Sequence, residues 1–207
     1  MLVSICMVTY NNEATIKKCM ESILQQSYGD IELIIRDVCS KDKTVDIMIE
    51  MQKRFRENGI YCQVQTSKDS LKLTNALKLC YQEAEGEISF VLDPDVCLDK
   101  ECVNNAVDVF DKNKDVGAVV IGNQKNTVVR GLDIIKNFEH YMNIKSSRIF
   151  FRYIARKKAL SQNVDFQYNS HLFIMFQAMF DYDAGFISEN NVTEMCDENN
   201  TYPDDVI

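Results

Sequence analysis

Hydrophobic residues in the first 122 positions form short continuous runs that alternate with longer stretches of helical spacing. The runs predict strands buried on both faces, at 2–8, 31–36, 60–65, 87–92 and 116–121. The stretches between them predict amphipathic helices, at 13–26, 42–56, 71–83 and 101–110. Strands and helices that alternate in this way form βαβ units. The pattern therefore predicts an α/β domain with a mainly parallel central sheet flanked by helices.

The pattern is less regular after residue 122. Residues 125–130 are polar like a loop, apart from two adjacent valines. A helix is predicted at 132–142, a strand at 148–155 and a helical turn at 156–160. An apolar stripe near residue 175 predicts core packing or the docking of a partner: Phe173, Phe176, Met179 and Phe180. The segment 188–207 is acidic and nearly free of aromatic residues, so we expect it to be loosely ordered. This gives an α/β half at 1–122, a second half of the same domain at 123–187, and a tail at 188–207.

Composition and charge narrow the class of protein. The net charge of the 207 residues is −8 and no basic cluster is present, which argues against a nucleic-acid partner and an anionic membrane surface. No apolar run reaches the roughly 18 residues that span a bilayer. The eight cysteines have no C-x-x-C spacing, and the first residues read as a strand with no basic leader. We therefore expect a cytoplasmic protein with reduced, mostly buried thiols.

The most informative motif is Asp93-Pro94-Asp95, which directly follows the apolar run at 88–92. Pro94 cannot donate a backbone hydrogen bond, so the strand should end there. Two carboxylates at i and i+2 of an extended segment point to the same side, here from the carboxyl edge of a sheet where α/β folds bind ligands. Such a pair suits Mg²⁺ or Mn²⁺, and hence a diphosphate. The alternative is a turn and helix-cap signal ahead of the next helix.

Several motifs together resemble one known family. The segment 3–13, with 23–28 and 31–35, resembles the opening of the family 2 glycosyltransferases, which have the GT-A fold. Further motifs follow in the family's order and spacing: Ser40-Lys41-Asp42-Lys43-Thr44, Asn75-Ala76-Leu77 with Ala84-Glu85-Gly86-Glu87, and Asp93-Pro94-Asp95. Motifs that occur in order are far more specific than any single one. By contrast, no glycine-rich phosphate loop is present, which disfavours P-loop and dinucleotide-binding readings.

The resemblance implies a single GT-A-like domain that transfers a sugar, with inversion, from a nucleotide-sugar donor, expected to be UDP-linked, to a sugar or glycoconjugate acceptor. The half at 1–122 would bind the nucleotide-sugar, and the half at 123–187 would form the acceptor side. It implies a divalent cation, Mn²⁺ or Mg²⁺. The residues implied in nucleotide binding are Thr9, Tyr10, Asn11, Glu13, Asp37 and Asp93. Asp95 would ligate the metal directly, with Asp93 on the ribose or the metal. For residues 9–11 the alternative is a simple strand-to-helix turn with Asn as the cap.

This chain departs from the family pattern in its donor and base motifs. Asp37-Val38-Cys39 stands where the family has two Asp residues and a Gly, and Arg36 replaces a usually apolar residue. The acidic pair that carries the family's catalytic base is missing; His171 lies nearest its position and Asp165 is the next candidate. A His has a suitable intrinsic pKa for a base near neutral pH, although a lone His also serves as a polar cap.

Two other functions stay open from sequence. One is a degenerate member that binds a protein partner, or itself as a homodimer, without catalysis. The other is a nucleotidyltransferase, which also uses paired carboxylates on a similar sheet, but the missing phosphate loop counts against it.

Overall fold

A computed structural model describes residues 1–67, 72–122, 127–131, 133, 149–153, 157 and 181–195. Its helices are α1 (Ile16–Leu24), α2 (Thr44–Glu57), α3 (Leu73–Glu83) and α4 (Cys102–Lys112). Its strands are β1 (Val3–Thr9), β2 (Ile31–Asp37), β3 (Tyr61–Thr66), β4 (Ile88–Val91), β5 (Val96–Leu98), β6 (Val116–Gly122), β7 (Thr127–Val129), β8 (Ile149–Arg152), β9 (Asp183–Ser188) and β10 (Val192–Glu194). A 3-10 turn, Glu189–Asn191, joins β9 to β10.

Eight of these strands form one sheet in the order β3-β2-β1-β4-β8-β6-β9-β7. The first four are parallel, with Val3 opposite both Ile31 and Ile88. β8 runs antiparallel to both neighbours, β4 and β6, whereas β9 is parallel to β6. The predicted α/β domain with a mainly parallel sheet is confirmed.

The core lies in two layers, one on each face of this sheet. All seven residues of β1 are buried, which explains its unbroken apolar run. Alternate residues point to opposite faces, so Ile5 and Met7 pack in the layer with α1, α2 and α4. Cys6 and Val8 pack on the other face against α3. The described cysteines are free, and four of them, Cys6, Cys19, Cys80 and Cys102, are buried.

The turn before β4 explains the glycine of the motif Ala84-Glu85-Gly86-Glu87. A Cβ on Gly86 would lie 2.5 Å from Ser4 Oγ and 2.7 Å from the Leu2 carbonyl oxygen, so no larger residue fits without a shift. Gly86 N also donates to Ser4 Oγ (2.8 Å) and to the buried carboxylate of Glu32 (3.1 Å). The turn is therefore locked to β1 and β2, and it sets where β4 begins.

Four strands differ from the sequence-based expectation. β5, β7, β9 and β10 were not predicted, and β10 lies inside the segment expected to be a loosely ordered tail. That expectation is wrong for 188–195, because β10 pairs antiparallel with β5, with Thr193 opposite Cys97. β5, β7 and β10 have three residues each, too few for a periodicity to be recognised from sequence.

Some predicted features lie outside the described residues. They include most of the helix at 132–142, most of the turn at 156–160, the apolar stripe from Phe173 to Phe180, and residues 196–207. Within the described part of the chain, no helix combines the length and the hydropathy needed to cross a bilayer.

Candidate functional site

The carboxyl ends of β2, β1 and β4 lie side by side at one edge of the sheet. Neighbouring strands are about 4.8 Å apart, so the residues that follow β2 and those that follow β4 are separated by about 10 Å across β1. This edge carries the predicted nucleotide residues on β1 and β2 and the predicted metal ligands after β4. The fold therefore brings the predicted nucleotide-binding residues and the predicted metal ligands to the same edge of the sheet, where α/β folds bind ligands.

Asp37 is the buried centre of this edge. It lies opposite Thr9 in the β1–β2 register, and both side chains are at most 1% exposed. Its carboxylate accepts hydrogen bonds from Thr9 Oγ1 (3.1 Å), from Ser40 N (2.9 Å) and from Ser40 Oγ. In this conformation Asp37 therefore braces the loop after β2, and its predicted contact with a base or ribose stays a prediction.

The loop after β1 is tied to the loop after β2. Asn11 has a left-handed backbone, with φ of 51°. Its N–H donates to Ser40 Oγ (2.8 Å), and its side-chain Oδ1 accepts from Lys41 N (2.8 Å). Tyr10, half-buried beside it, donates its N–H to Asn12 Oδ1 (2.8 Å). The segment that the resemblance assigns to the nucleoside is therefore held rigidly by its neighbour.

Glu13 continues the same connection on the surface. Its N–H donates to Asp42 Oδ2 (3.0 Å), and its carboxylate accepts from Lys43 N (2.9 Å), just before α2. Burial tends to raise the pKa of Asp42, but hydrogen bonds from Thr44 and from backbone N–H groups outweigh it and hold the pKa below the usual value. The Glu13 carboxylate is thus engaged with the start of α2. α1 begins only at Ile16, later than predicted.

Asp93 and Asp95 lie directly beyond β4, and both are half-buried. Leu92 N still donates to the Cys6 carbonyl oxygen (3.0 Å), which keeps the segment in line with β1. Beyond it, Val96 N donates to Asp93 O (3.1 Å) and Met195 N to Asp95 O (2.7 Å). The backbone of this acidic segment is therefore fixed on both sides.

This pair fits a divalent cation of the Mg²⁺ or Mn²⁺ type. Two carboxylates offer hard oxygen ligands, and neither is sealed from solvent. No group of three or more His, Cys, Asp or Glu residues in the described ranges could hold a metal by itself. Such a cation would thus complete its coordination with phosphate oxygens and water, as Mg²⁺ commonly does.

Cys19 of α1 lies beneath the pair. It is fully buried, and its Sγ donates to the Asp93 carbonyl oxygen at 3.6 Å. Burial raises its pKa well above the ordinary value, and nearby Cys97 and the two aspartates raise it further. Cys19 is therefore a neutral thiol that supports the segment, and a thiolate metal ligand is not expected there.

Arg36, one of the departures from the family pattern, has a structural partner. Its Nη2 lies 2.5 Å from Glu83 Oε1 on α3, and its side chain is 12% exposed. Gln65 Nε2 of β3 also donates to the Glu83 carboxylate at 3.2 Å. The substitution is thus compensated by a polar cluster on the face of the sheet that packs against α3.

The predicted bases His171 and Asp165 lie outside the described residues and stay predictions. Sequence reasoning missed the roles of Ser40 and Met195. The Asp37-x-x-Ser40 spacing could have indicated the first, because Asp side chains bond nearby backbone N–H groups in turns. No local signal indicates the second, which depends on a strand pairing distant in sequence.

Comparison with known proteins agrees with this architecture. The family model for glycosyl transferase family 2 matches residues 4–182. Poly-β-1,6-N-acetyl-D-glucosamine synthase of Staphylococcus epidermidis is 28% identical over 117 residues, which cover 56% of this chain and 27% of that protein. The poly(ribitol-phosphate) β-N-acetylglucosaminyltransferase TarS of Staphylococcus aureus is 22% identical over 202 residues, which cover 94% of this chain and 34% of TarS. The chain thus spans about a third or less of these relatives.

Solved structures show the same fold. The crystal structure of S. aureus TarS 1-349 in complex with UDP-GlcNAc superposes with a TM-score of 0.72 at 19% identity, over 91% of this chain and 56% of that one. The mannosyltransferase PcManGT from Pyrobaculum calidifontis, in complex with GDP-Man and Mn²⁺, gives 0.70 at 18% identity, over 90% and 54%. The chain therefore belongs to glycosyl transferase family 2, and its domain has the GT-A fold that its motifs predicted.

Proposed function

We propose that this chain binds a UDP-linked sugar and a divalent cation, and transfers the sugar to a hydroxyl of a sugar or glycoconjugate acceptor. The observation that carries the proposal is the shared sheet edge. Asp93 and Asp95 follow β4, and the loop at Tyr10 and Asn11 follows the neighbouring parallel strand β1. A nucleoside joined to a diphosphate can span the two positions.

The loop after β1 would take the nucleoside. Tyr10 offers an aromatic ring against a planar base, and its half-buried position leaves part of it accessible. The pre-organised backbone lowers the entropic cost of ordering this loop when the ligand binds. For Asp37 to accept from the base or ribose, one of its present hydrogen bonds from Ser40 would have to be exchanged for one from the ligand.

The choice of UDP follows from the relatives. The sequence alignment with TarS covers 94% of this chain, and the structural alignment covers 91%. TarS has been solved with UDP-GlcNAc. PcManGT, with a TM-score of 0.70, has been solved with GDP-Man. We therefore assign UDP to this chain and treat GDP as the competing nucleotide in the test.

Asp95 would hold the cation, with Asp93 as a second ligand or a ribose contact. When bound, the cation would offset the negative charge of the departing nucleoside diphosphate. The chain must also remove the proton of the acceptor hydroxyl, and we assign this role to His171, with Asp165 as the second candidate.

The test is calorimetric titration with UDP and GDP, each with and without Mn²⁺. We expect UDP to bind more tightly than GDP, and Mn²⁺ to strengthen the binding of UDP. Asp95→Asn should remove the Mn²⁺ effect, whereas Asp108→Asn, an exposed carboxylate paired with Lys112 on α4, should preserve it. Equal Mn²⁺ effects in both variants would disprove the metal assignment. Binding of UDP without transfer to any acceptor would favour a binding subunit.

A further inference from the structure

The segment 188–195 connects the main sheet to the acidic segment at 93–95. β9 ends at Ser188, a single 3-10 turn follows, and β10 then pairs antiparallel with β5 from Val192 to Glu194. Two further backbone bonds extend this pairing at both ends. Met195 N donates to Asp95 O (2.7 Å), and Asp99 N donates to Asn191 O (2.7 Å). Backbone hydrogen bonds from the segment 191–195 therefore hold the chain from Asp95 to Asp99.

β10 and β5 form a separate two-stranded sheet. Neither strand belongs to the eight-stranded sheet, so the position of β10 depends on β5 and on the turn that precedes it. Three ladder positions alone make a weak pairing, because short two-stranded ribbons are marginally stable in water. The turn at Glu189–Asn191 must therefore contribute to holding β10 in register.

Asn191 is the residue that fixes this turn. Its side chain is 6% exposed, and both ends of its amide are used. Oδ1 accepts from Asn105 Nδ2 of α4 (2.8 Å), and Nδ2 donates to the carbonyl oxygen of Ser188 (2.6 Å). The side chain of Asn191 thus joins the end of β9 to the body of α4, and its backbone carbonyl binds Asp99, the residue that follows β5.

We infer that Asn191 is a positioning residue for the metal-binding carboxylates. It acts through β10, because Met195, the residue after β10, donates its N–H to the backbone carbonyl of Asp95. This inference rests on the proposed function, because it assumes that Asp93 and Asp95 bind a divalent cation. Residues that orient metal ligands without touching the metal typically change metal affinity by about 10- to 100-fold when they are removed.

The physical reason is pre-organisation. A cation shared by two carboxylates and a diphosphate needs both carboxylates in place at once, and any freedom of the segment at 93–95 must be removed on binding. Without the Asn191 amide, the Ser188 carbonyl and the Asn105 amide lose this partner. The turn would loosen and β10 with it. The hydrogen bonds that hold the loop at Tyr10 and Asn11 involve none of the residues of this turn.

The experiment measures UDP binding by calorimetry, with and without Mn²⁺, well below the melting temperature of every variant. For Asn191→Ala we expect the Mn²⁺-dependent gain in UDP affinity to fall by about 10-fold or more, with metal-free UDP binding unchanged. Asn190→Ala, at the exposed neighbouring position, is the matched control and should keep the full gain. If Asn191→Ala does not fold, Asn105→Ala removes the partner of Oδ1 alone and should show a smaller loss in the same direction.

The other outcomes separate the two claims. A full Mn²⁺ gain in Asn191→Ala would overturn the positioning role and leave the proposed function intact. An equal loss of metal-free and Mn²⁺-dependent binding would also overturn it, because this is the signature of general destabilisation. If the unaltered protein binds UDP with no Mn²⁺ effect, the metal assignment fails and this inference fails with it.

Discussion

Thr9 and Asp37 face each other at the ends of β1 and β2, and Thr9 Oγ1 donates a hydrogen bond to Asp37 Oδ1 at 3.1 Å. Because the same carboxylate also accepts from Ser40, Asp37→Ala removes this acceptor from the buried Thr9 hydroxyl and from two donors of the half-buried Ser40. We expect this variant to lower the free energy of unfolding by about 2–3 kcal/mol, measured by urea denaturation. Asp46→Ala, at an exposed position of α2, should cost much less. Equal costs would show that the Asp37 bonds add little.

Gly86 should tolerate no side chain. Its Cβ would meet backbone atoms of Leu2 and Ser4 at 2.7 and 2.8 Å, and β1 cannot move away without disturbing the sheet. Gly86→Ala should therefore destabilise the protein by about 1–3 kcal/mol in thermal or urea unfolding. Gly29→Ala is the matched control, because a Cβ added there would meet no atom within 4 Å and its φ is not positive. A neutral result at Gly86 would show that the turn can shift.

Replacing Cys39 by glycine should make the folded protein more stable. Its φ of 71° lies in the left-handed region, which costs a residue with a Cβ about 1–2 kcal/mol. Part of this gain is offset because glycine has more freedom in the unfolded chain, so we expect Cys39→Gly to stabilise by about 0.5–1 kcal/mol in urea unfolding. Cys62→Gly, in the extended strand β3, should destabilise instead. A loss of stability at both positions would contradict the strain at Cys39.

Alkaline pH should weaken the fold through its buried thiols. Burial raises the pKa of Cys80 to about 12, whereas a thiol in the unfolded chain titrates near ~8.5. Its contribution is fully present below the unfolded value. Above it the unfolded chain releases the proton first, so stability falls by up to about 1.4 kcal/mol per pH unit until the pH passes the folded pKa.

The variant Cys80→Ala tests this dependence. Unfolding measured from pH 8 to 11 should show a shallower decline than in the unaltered protein. Ile34→Val, in the same apolar layer, loses packing but keeps the thiol, so it should shift the whole curve without changing its slope. An unchanged slope in Cys80→Ala would assign the alkaline decline to other groups.

Apart from β5, the strands and helices up to residue 122 were predictable because each one has a periodicity long enough to be read locally. β1 and β4 have continuous apolar runs, since both of their faces are covered. The Asp93-Pro94-Asp95 motif was readable for the same reason, because its position relative to β4 follows from the chain itself. The burial of Asp37 was not readable, because Thr9 of β1, one of its donors, meets it only in the folded sheet.

β5 and β10 were missed for a related reason. Each has three residues, and each is a strand only because the other is present, about a hundred positions away in sequence. A polar stretch such as Val192-Thr193-Glu194 resembles a surface loop when it is read alone. The expectation of a loose tail failed there because pairing between distant segments overrides local composition.

The placement of β8 has a consequence for any attempt to divide this domain. β8 comes from residues 149–152 but lies between β4 and β6, which both belong to the first 122 residues. A fragment ending at residue 122 would expose two unpaired edges in the middle of its sheet and would also lack β10. Exchanging the part after residue 122 between relatives should therefore promote aggregation wherever the foreign β8 pairs poorly, because the edges of β4 and β6 are then open to other chains. Recombination that keeps β4, β8 and β6 from one parent avoids this outcome.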